Sequence, residues 1–236
     1  MAAGRLYLVP AWLAEDVAPS EVVPEPVLAR IRALDAFVAE NAKSARRFLA
    51  ACAHPQPMRD IAIAELNEHT PAGDVAGLLA PLIEGRDLGV LSEAGVPAVA
   101  DPGALLVAAA HARGIAVVPL VGPSSLLLAL MASGLEGQRF RFVGYLPADP
   151  AARRAAIVEL ERQSARDAET QIFIETPYRN DALLGDLIAT CRPQTRLAVA
   201  AELTSEREWI RMDRVEGWKV RAAAIGKRPA TFLLLA

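Results

Sequence analysis

The stretch from Leu91 to Gly103 reads Leu-Ser-Glu-Ala-Gly-Val-Pro-Ala-Val-Ala-Asp-Pro-Gly, a run of small residues that lets a ligand touch the backbone directly. It leaves the carboxyl end of an apolar run and enters a helical pattern at Asp101-Pro102, where open α/β sheets place their ligands. Glu40, at another strand's carboxyl end, is a carboxylate able to take a proton from a hydroxyl, and Lys43 follows it closely. Lys43, Arg46 and Arg47 recur at i, i+3 and i+4, which makes one basic helix face able to hold phosphate. Trp12, by its position on a strand-end loop, is expected to be exposed and able to stack on a base or a planar ring. Each feature also has a plain structural reading: an ordinary strand-to-helix loop, a helix cap at Asp101, solvated charges on the helix, a packed anchor at Trp12.

Other chemistries lack their residues. His54, His69 and His111 are scattered without the i, i+4 spacing that puts two imidazoles on one metal, so no zinc site is predicted. Cys52 and Cys191 stand far apart and are expected to be buried free thiols. No glycine-rich turn follows the first strand, which ends Val9-Pro10-Ala11-Trp12, and no Walker phosphate loop occurs. The net charge of -3 gives no global attraction to a polyanion, so any nucleic-acid contact must be local. No apolar stretch approaches the ~18 residues of a membrane span, and the chain is expected to be cytoplasmic, with no membrane partner.

The elements that must position these residues follow a βαβ rhythm. Strands are predicted at 5–9, 34–38, 61–66, 88–91 and 115–119, and again at 140–145, 171–175, 196–201, 209–212 and 231–235, with helix-length segments between most of them. This predicts two α/β domains, 1–120 with a mainly parallel sheet and 121–236 with a mixed one, hinged at Val121-Gly122-Pro123. Helix starts are marked by an oxygen-bearing cap followed by proline at Thr70-Pro71, Asp101-Pro102 and Asp149-Pro150. Gly85, Gly114 and Gly134 are placed to close helices, a further helix spans 124–133, and Pro81 should kink or break the helix begun at Pro71.

At this point the chain resembles the tetrapyrrole-methylase superfamily, and within it the branch that methylates ribose 2′-hydroxyls in ribosomal RNA. The resemblance rests on motifs in order: Gly4 to Pro10, Ala39-Glu40-Asn41, Leu66-Asn67-Glu68-His69, the Ser92 to Gly103 loop, Val118 to Pro123, Phe140 to Pro147, Ile172 to Arg179 and Ala201-Glu202-Leu203-Thr204. Two stretches depart from the branch's pattern. Ala11 to Asp16 stands where Thr-Pro-Ile-Gly-Asn-Leu is usual, and Glu40-Asn41-Ala42-Lys43 where Glu-Asp-Thr-Arg is usual.

The resemblance implies a methyltransferase with S-adenosyl-L-methionine folded into the cleft between the domains, and a homodimer. It implies cofactor contacts at Glu93, Ala94, Gly95, Val96, Ala100, Asp101, Ser124, Ser125, Glu175, Thr176, Ala201, Glu202, Ala230 and Thr231. With a ribose acceptor, Glu40 and Lys43 are the catalytic candidates, and Trp12, Arg46 and Arg47 the substrate-binding ones. The expected acceptor is ribosomal RNA; a tetrapyrrole or other small molecule is the alternative, and a non-catalytic cofactor-binding protein the second alternative.

Overall fold

The computed structural model describes residues 3–71, 73–221 and 223–236, and the chain divides into two compact units, Met1–Ser124 and Ser125–Ala236. In the first unit five short strands, β1 (Leu6–Val9), β2 (Ala36–Ala39), β3 (Ala62–Glu65), β4 (Leu88–Leu91) and β5 (Val117–Pro119), form one all-parallel sheet in the order β3-β2-β4-β1-β5. Parallel strands need crossovers long enough for helices, and helices covering both faces make the central strands apolar throughout. Tyr7, Phe37, Val38 and Val90 are accordingly buried.

The crossovers carry α1 (Pro19–Val22), α2 (Glu25–Arg32), α3 (Ala42–Ala51), α4 (Ala80–Ile83) and α5 (Gly103–His111). α3 begins where the Asn41 side chain accepts hydrogen bonds from the Lys43 and Ser44 N–H groups at 2.9 and 3.3 Å, and it buries Ala45, Phe48 and Leu49. Asn41 therefore does the helix-capping work of an aspartate at this departure from the family pattern.

No α-helix begins at Pro71. The Thr70 hydroxyl instead accepts from the Asn67 N–H at 3.0 Å and closes a turn, and a 3₁₀ segment, Val75–Leu79, precedes α4. Pro81 does not kink a helix either. It sits in the first turn of α4, where its missing N–H costs nothing.

The second unit holds α6 (Ser125–Ser133), β6 (Phe140–Tyr145), α7 (Pro150–Asp167), β7 (Thr170–Ile174), α8 (Asn180–Thr190), β8 (Arg196–Ala201), β9 (Trp209–Arg214), α9 (Val215–Val220) and β10 (Ala230–Leu235). Its sheet runs β6-β7-β10-β8-β9; β6 and β7 are parallel and the remaining pairs antiparallel. The core stacks Phe173 on Phe232 with ring centroids 5.9 Å apart and buries Trp218 completely. Asp149 caps α7 through the Ala152 N–H at 2.8 Å, and Gly85, Gly114 and Gly134 take positive φ just past the ends of α4, α5 and α6, all as the sequence predicts.

His54 is buried with Nε2 2.8 Å from the Leu34 carbonyl, and both cysteines are buried thiols pushed up to about 12 by desolvation. Among the described residues no helix is long and apolar enough to cross a membrane, and no cluster of three His, Cys, Asp or Glu is arranged to hold a metal.

Candidate functional site

In the first unit the chemistry gathers at the carboxyl ends of β2 and β4. Both strands end there in tight loops, so Glu40 follows β2 directly and the 92–102 segment connects β4 to α5. They border a small open recess lined by Val38, Ala39, Glu40, Leu66, Val90, Leu91, Asp101, Pro102 and Gly103. The loop is held in an unusual shape. Gly95, Ala98 and Ala100 take φ of 72°, 66° and 64°. The two alanines each carry a strain of about 1–2 kcal/mol, because their Cβ atoms crowd the following carbonyl in the left-handed region.

Asp101 holds this shape. Its carboxylate accepts from the Ala98 N–H at 2.9 Å and from the Gly103 N–H at 2.7 Å, joining the middle of the loop to the first turn of α5. The helix starts one residue later than the Asp101-Pro102 pair predicts: Pro102 is the N-cap of α5, and Asp101, just before it, braces the loop against the first N–H of the helix. Gly95 ties the same loop to the segment after β1: its carbonyl accepts from the Ala11 N–H at 2.8 Å.

Three carboxylates share this rim. Burial raises the Glu40 carboxyl above its ordinary value, the charges of Asp101, Glu93 and Glu68 push in the same direction, and a Glu93 backbone N–H opposes them. Burial likewise raises Asp101 against its two backbone donors. Ser44, which the sequence does not single out, donates its hydroxyl to Glu93 at 2.6 Å and so joins α3 to the loop.

In the second unit β10 runs antiparallel between β7 and β8, so its start meets their carboxyl ends, with Thr231 opposite Ile174 and Ala230 opposite Ala201. This register brings Thr176, Ala201, Glu202, Ala230 and Thr231 to one end of the sheet with Glu175. The Glu175 side chain is fully buried. One oxygen accepts from the Thr176 N–H and from Arg179 at 2.7 and 2.6 Å, while Oε2 has no hydrogen-bond partner. A buried unpaired carboxylate oxygen is costly and marks a position where a donor group belongs.

Beside it, Glu202 and Thr204 take φ of 50° and 72°, and the buried Thr204 Oγ1 is also unpaired. A β-branched residue at positive φ is a genuine outlier, and such strain collects at functional sites. Ser124 closes the first unit and Ser125 opens α6, which packs on β8, β9 and β10. Arg179 and Thr204 have no local sequence signature as site residues. Only the four-residue spacing of Glu175 and Arg179 hints at their pairing.

The substrate-binding candidates fare differently. Trp12 is not exposed: it is 8% accessible and packs edge-on against Phe48 with centroids 5.5 Å apart, because α3 lays its apolar face over the loop after β1. The basic face of α3 is not a free triplet either. Arg47 pairs with Glu15, and Arg46 turns back to the Met58 and Ala42 carbonyls at 3.4 and 3.3 Å. Neither Lys43 nor Arg46 has a carboxylate partner among the described residues, but Arg46 is tied to backbone carbonyls, which leaves Lys43 as the unengaged cation of the three.

Residues 24–216 match the family model for tetrapyrrole (corrin/porphyrin) methylases. A ribosomal RNA small subunit methyltransferase I from Xylella fastidiosa is 41% identical over 175 residues, covering 74% of this chain and 60% of that one. Its namesakes from Halalkalibacterium halodurans and Pseudomonas aeruginosa are 33% and 32% identical, covering 87% and 89% of this chain and 66% and 70% of theirs. The chain thus spans less than two thirds of the length of the first two relatives. Among solved structures, the methyltransferase CobJ superposes with a TM-score of 0.62 at 19% identity, covering 98% of this chain and 94% of that one. The uroporphyrin-III-C-methyltransferase from Thermus thermophilus superposes at 0.57 and 20%, covering 98% and 92%. At these identities the likeness establishes the two-unit α/β fold.

Proposed function

The chain belongs to the tetrapyrrole (corrin/porphyrin) methylase family, and from that premise we propose that it transfers a methyl group from S-adenosylmethionine to a ribose 2′-hydroxyl of small-subunit ribosomal RNA. The observation that carries this reading is the identity of 31–41% to relatives named for methylating small-subunit ribosomal RNA. The proposal includes a cytoplasmic location and a homodimer, the latter tested by light scattering of the purified chain.

The residues suit the cofactor. When bound, S-adenosylmethionine supplies an electrophilic methyl on a positively charged sulfur. The first unit holds 14 Asp/Glu against 9 Lys/Arg, a bias that favours a cationic ligand at a carboxylate-lined rim. Glu93, Ala94, Val96 and Ala100 contribute backbone groups, Gly95 supplies room for close approach while its own N–H and carbonyl bind the Trp12 carbonyl and the Ala11 N–H, and Asp101 braces the end of the loop. The unpaired Glu175 Oε2 is the acceptor for a hydroxyl or amine of the cofactor, with Thr176, Ala201, Glu202, Ala230, Thr231, Ser124 and Ser125 completing the contacts.

Glu40 accepts the proton of the attacking hydroxyl. Its raised carboxyl makes it a stronger base than a solvated carboxylate, and its place at a loop edge leaves it accessible to an acceptor. Lys43, exposed on the next turn, offsets charge on a neighbouring phosphate.

The test is mass spectrometry of ribosomal RNA from cells with and without the gene. One ribose methyl group should disappear from small-subunit RNA in the deletion and return on complementation. An unchanged methylation profile, with turnover of S-adenosylmethionine by the purified protein on small-molecule extracts, replaces RNA by a small-molecule acceptor. Binding of S-adenosylmethionine without any turnover leaves a non-catalytic binder.

A further inference from the structure

The two units differ in charge. Against the acidic first unit, the second carries 16 Lys/Arg and 14 Asp/Glu, and the 214–228 stretch holds five Lys/Arg against one Glu. α3, the helix whose spacing pointed to phosphate, spends Arg46 and Arg47 inside its own unit and stands beside the carboxylate rim. A polyanion therefore finds only Lys43 free on that helix, and the cations of the second unit are arranged otherwise.

β9 is an edge strand, and Trp209, Arg211 and Asp213 alternate onto one face of it. α9 folds back over that face. Trp218 from α9 meets Trp209 edge-on at 6.2 Å, the Arg211 guanidinium lies 4.0 Å from the Trp218 ring centroid, and the Arg228 guanidinium lies 5.2 Å from that of Trp209. Both guanidiniums thereby lie within cation–π reach of aromatic rings. The polar contacts of Arg228 are to the Ile225 and Ala224 carbonyls, so its charge is not neutralised by a carboxylate.

Around this ladder stand exposed cations. Lys219 and Lys227 have no carboxylate within ion-pair distance among the described residues, and Arg221, with 78% of its side chain exposed, shares Asp213 with Arg211. One carboxylate against two guanidiniums leaves net positive charge on the surface.

We propose that this face, formed by β9, α9 and the loop from α9 to β10, grips the sugar–phosphate backbone of the RNA substrate. Lys219, Arg221, Lys227 and Arg228 supply the phosphate contacts, with Arg228 seated on Trp209 and Arg211 on Trp218 behind them. The proposal rests on the RNA reading above and adds to it where the RNA is held. Positively charged side chains set by aromatic rings suit a flexible phosphodiester chain, because the contact is paid in counterion release and needs no base sequence.

The experiment measures binding of small-subunit ribosomal RNA by the whole chain against salt concentration, for the unmodified protein and for the triple variant Lys219→Ala, Arg221→Ala, Lys227→Ala. All three side chains are exposed, so the melting temperature and S-adenosylmethionine affinity should stay unchanged. At about 0.7 per phosphate, removing three contacts should flatten the log–log slope by about 2 and weaken binding about 100-fold at 0.1 M salt. The charge-preserving variant Lys219→Arg, Arg221→Lys, Lys227→Arg should bind like the unmodified protein.

If the unmodified protein shows a salt-dependent affinity and the triple variant matches it, this face only guards an edge strand and the proposal is overturned, while the RNA reading stands. If the unmodified protein shows no salt-dependent RNA binding at all, the RNA reading and this surface fall together. A triple variant that binds free RNA normally yet fails to methylate intact small subunits would assign the face to a protein partner instead, which also overturns the proposal.

Discussion

In the Gly95→Val protein, S-adenosylmethionine affinity falls by more than about 100-fold, a change of about 2.8 kcal/mol in binding. Two effects add. Gly95 takes a φ of 72°, which a β-branched residue tolerates poorly, at a cost of about 1–2 kcal/mol or more. A Cβ there would also stand 3.2 Å from Leu13 Cδ2 and 3.4 Å from the Pro123 carbonyl oxygen. The loop must shift to relieve both, and the backbone from Glu93 to Ala100 is what the cofactor is proposed to touch.

Two companions separate the causes. Gly95→Ala keeps the φ strain with less bulk and should lose less affinity. Adding Leu13→Ala to Gly95→Val opens space but leaves the φ strain, so rescue should be partial. Calorimetry showing normal affinity in a folded Gly95→Val protein would remove this loop from the cofactor site.

Glu40→Gln is the second change with a large expected effect. A positioned general base contributes typically 10²–10⁴-fold, so methyl transfer should fall by about that factor while S-adenosylmethionine affinity holds. Activity of the unmodified protein should rise with pH through the raised Glu40 value, and this limb of the profile should vanish in the variant.

Stability should move the other way. Because the folded state holds the Glu40 proton more tightly than the unfolded chain, the stabilising contribution is complete below the unfolded value of 4.5 and is lost as pH rises through the raised folded value. At neutral pH the unmodified protein therefore carries a desolvated charge against Asp101 and Glu93 that glutamine lacks. The variant should melt at a higher temperature at pH 7, with the gap closing as the pH falls toward 4.5. Full turnover in Glu40→Gln would show that proximity alone drives the transfer.

The amino-acid sequence by itself determined the local elements and the places where they end. Asp149-Pro150 and Gly114 act within one turn of helix, and the apolar runs of β1, β2 and β4 need only burial on both faces. These are short-range properties, and the strands and caps were legible from them. Thr70-Pro71 failed by the same logic, since a capping hydroxyl can close a turn as readily as it opens a helix, and the following residues chose the turn.

Tertiary structure alone decided partners. Arg47 met Glu15 across 32 residues, Trp12 met Phe48, Ser44 met Glu93, and Arg211 and Arg228 met tryptophan faces. A basic face read from i, i+3, i+4 spacing says where side chains point and nothing about what waits there. The unpaired Glu175 Oε2 arises in the same way, because burial of one carboxylate oxygen depends on β10 arriving antiparallel between β7 and β8 from more than 50 residues away along the chain. Pairing over such distances is set by how whole elements pack, which local periodicity does not encode.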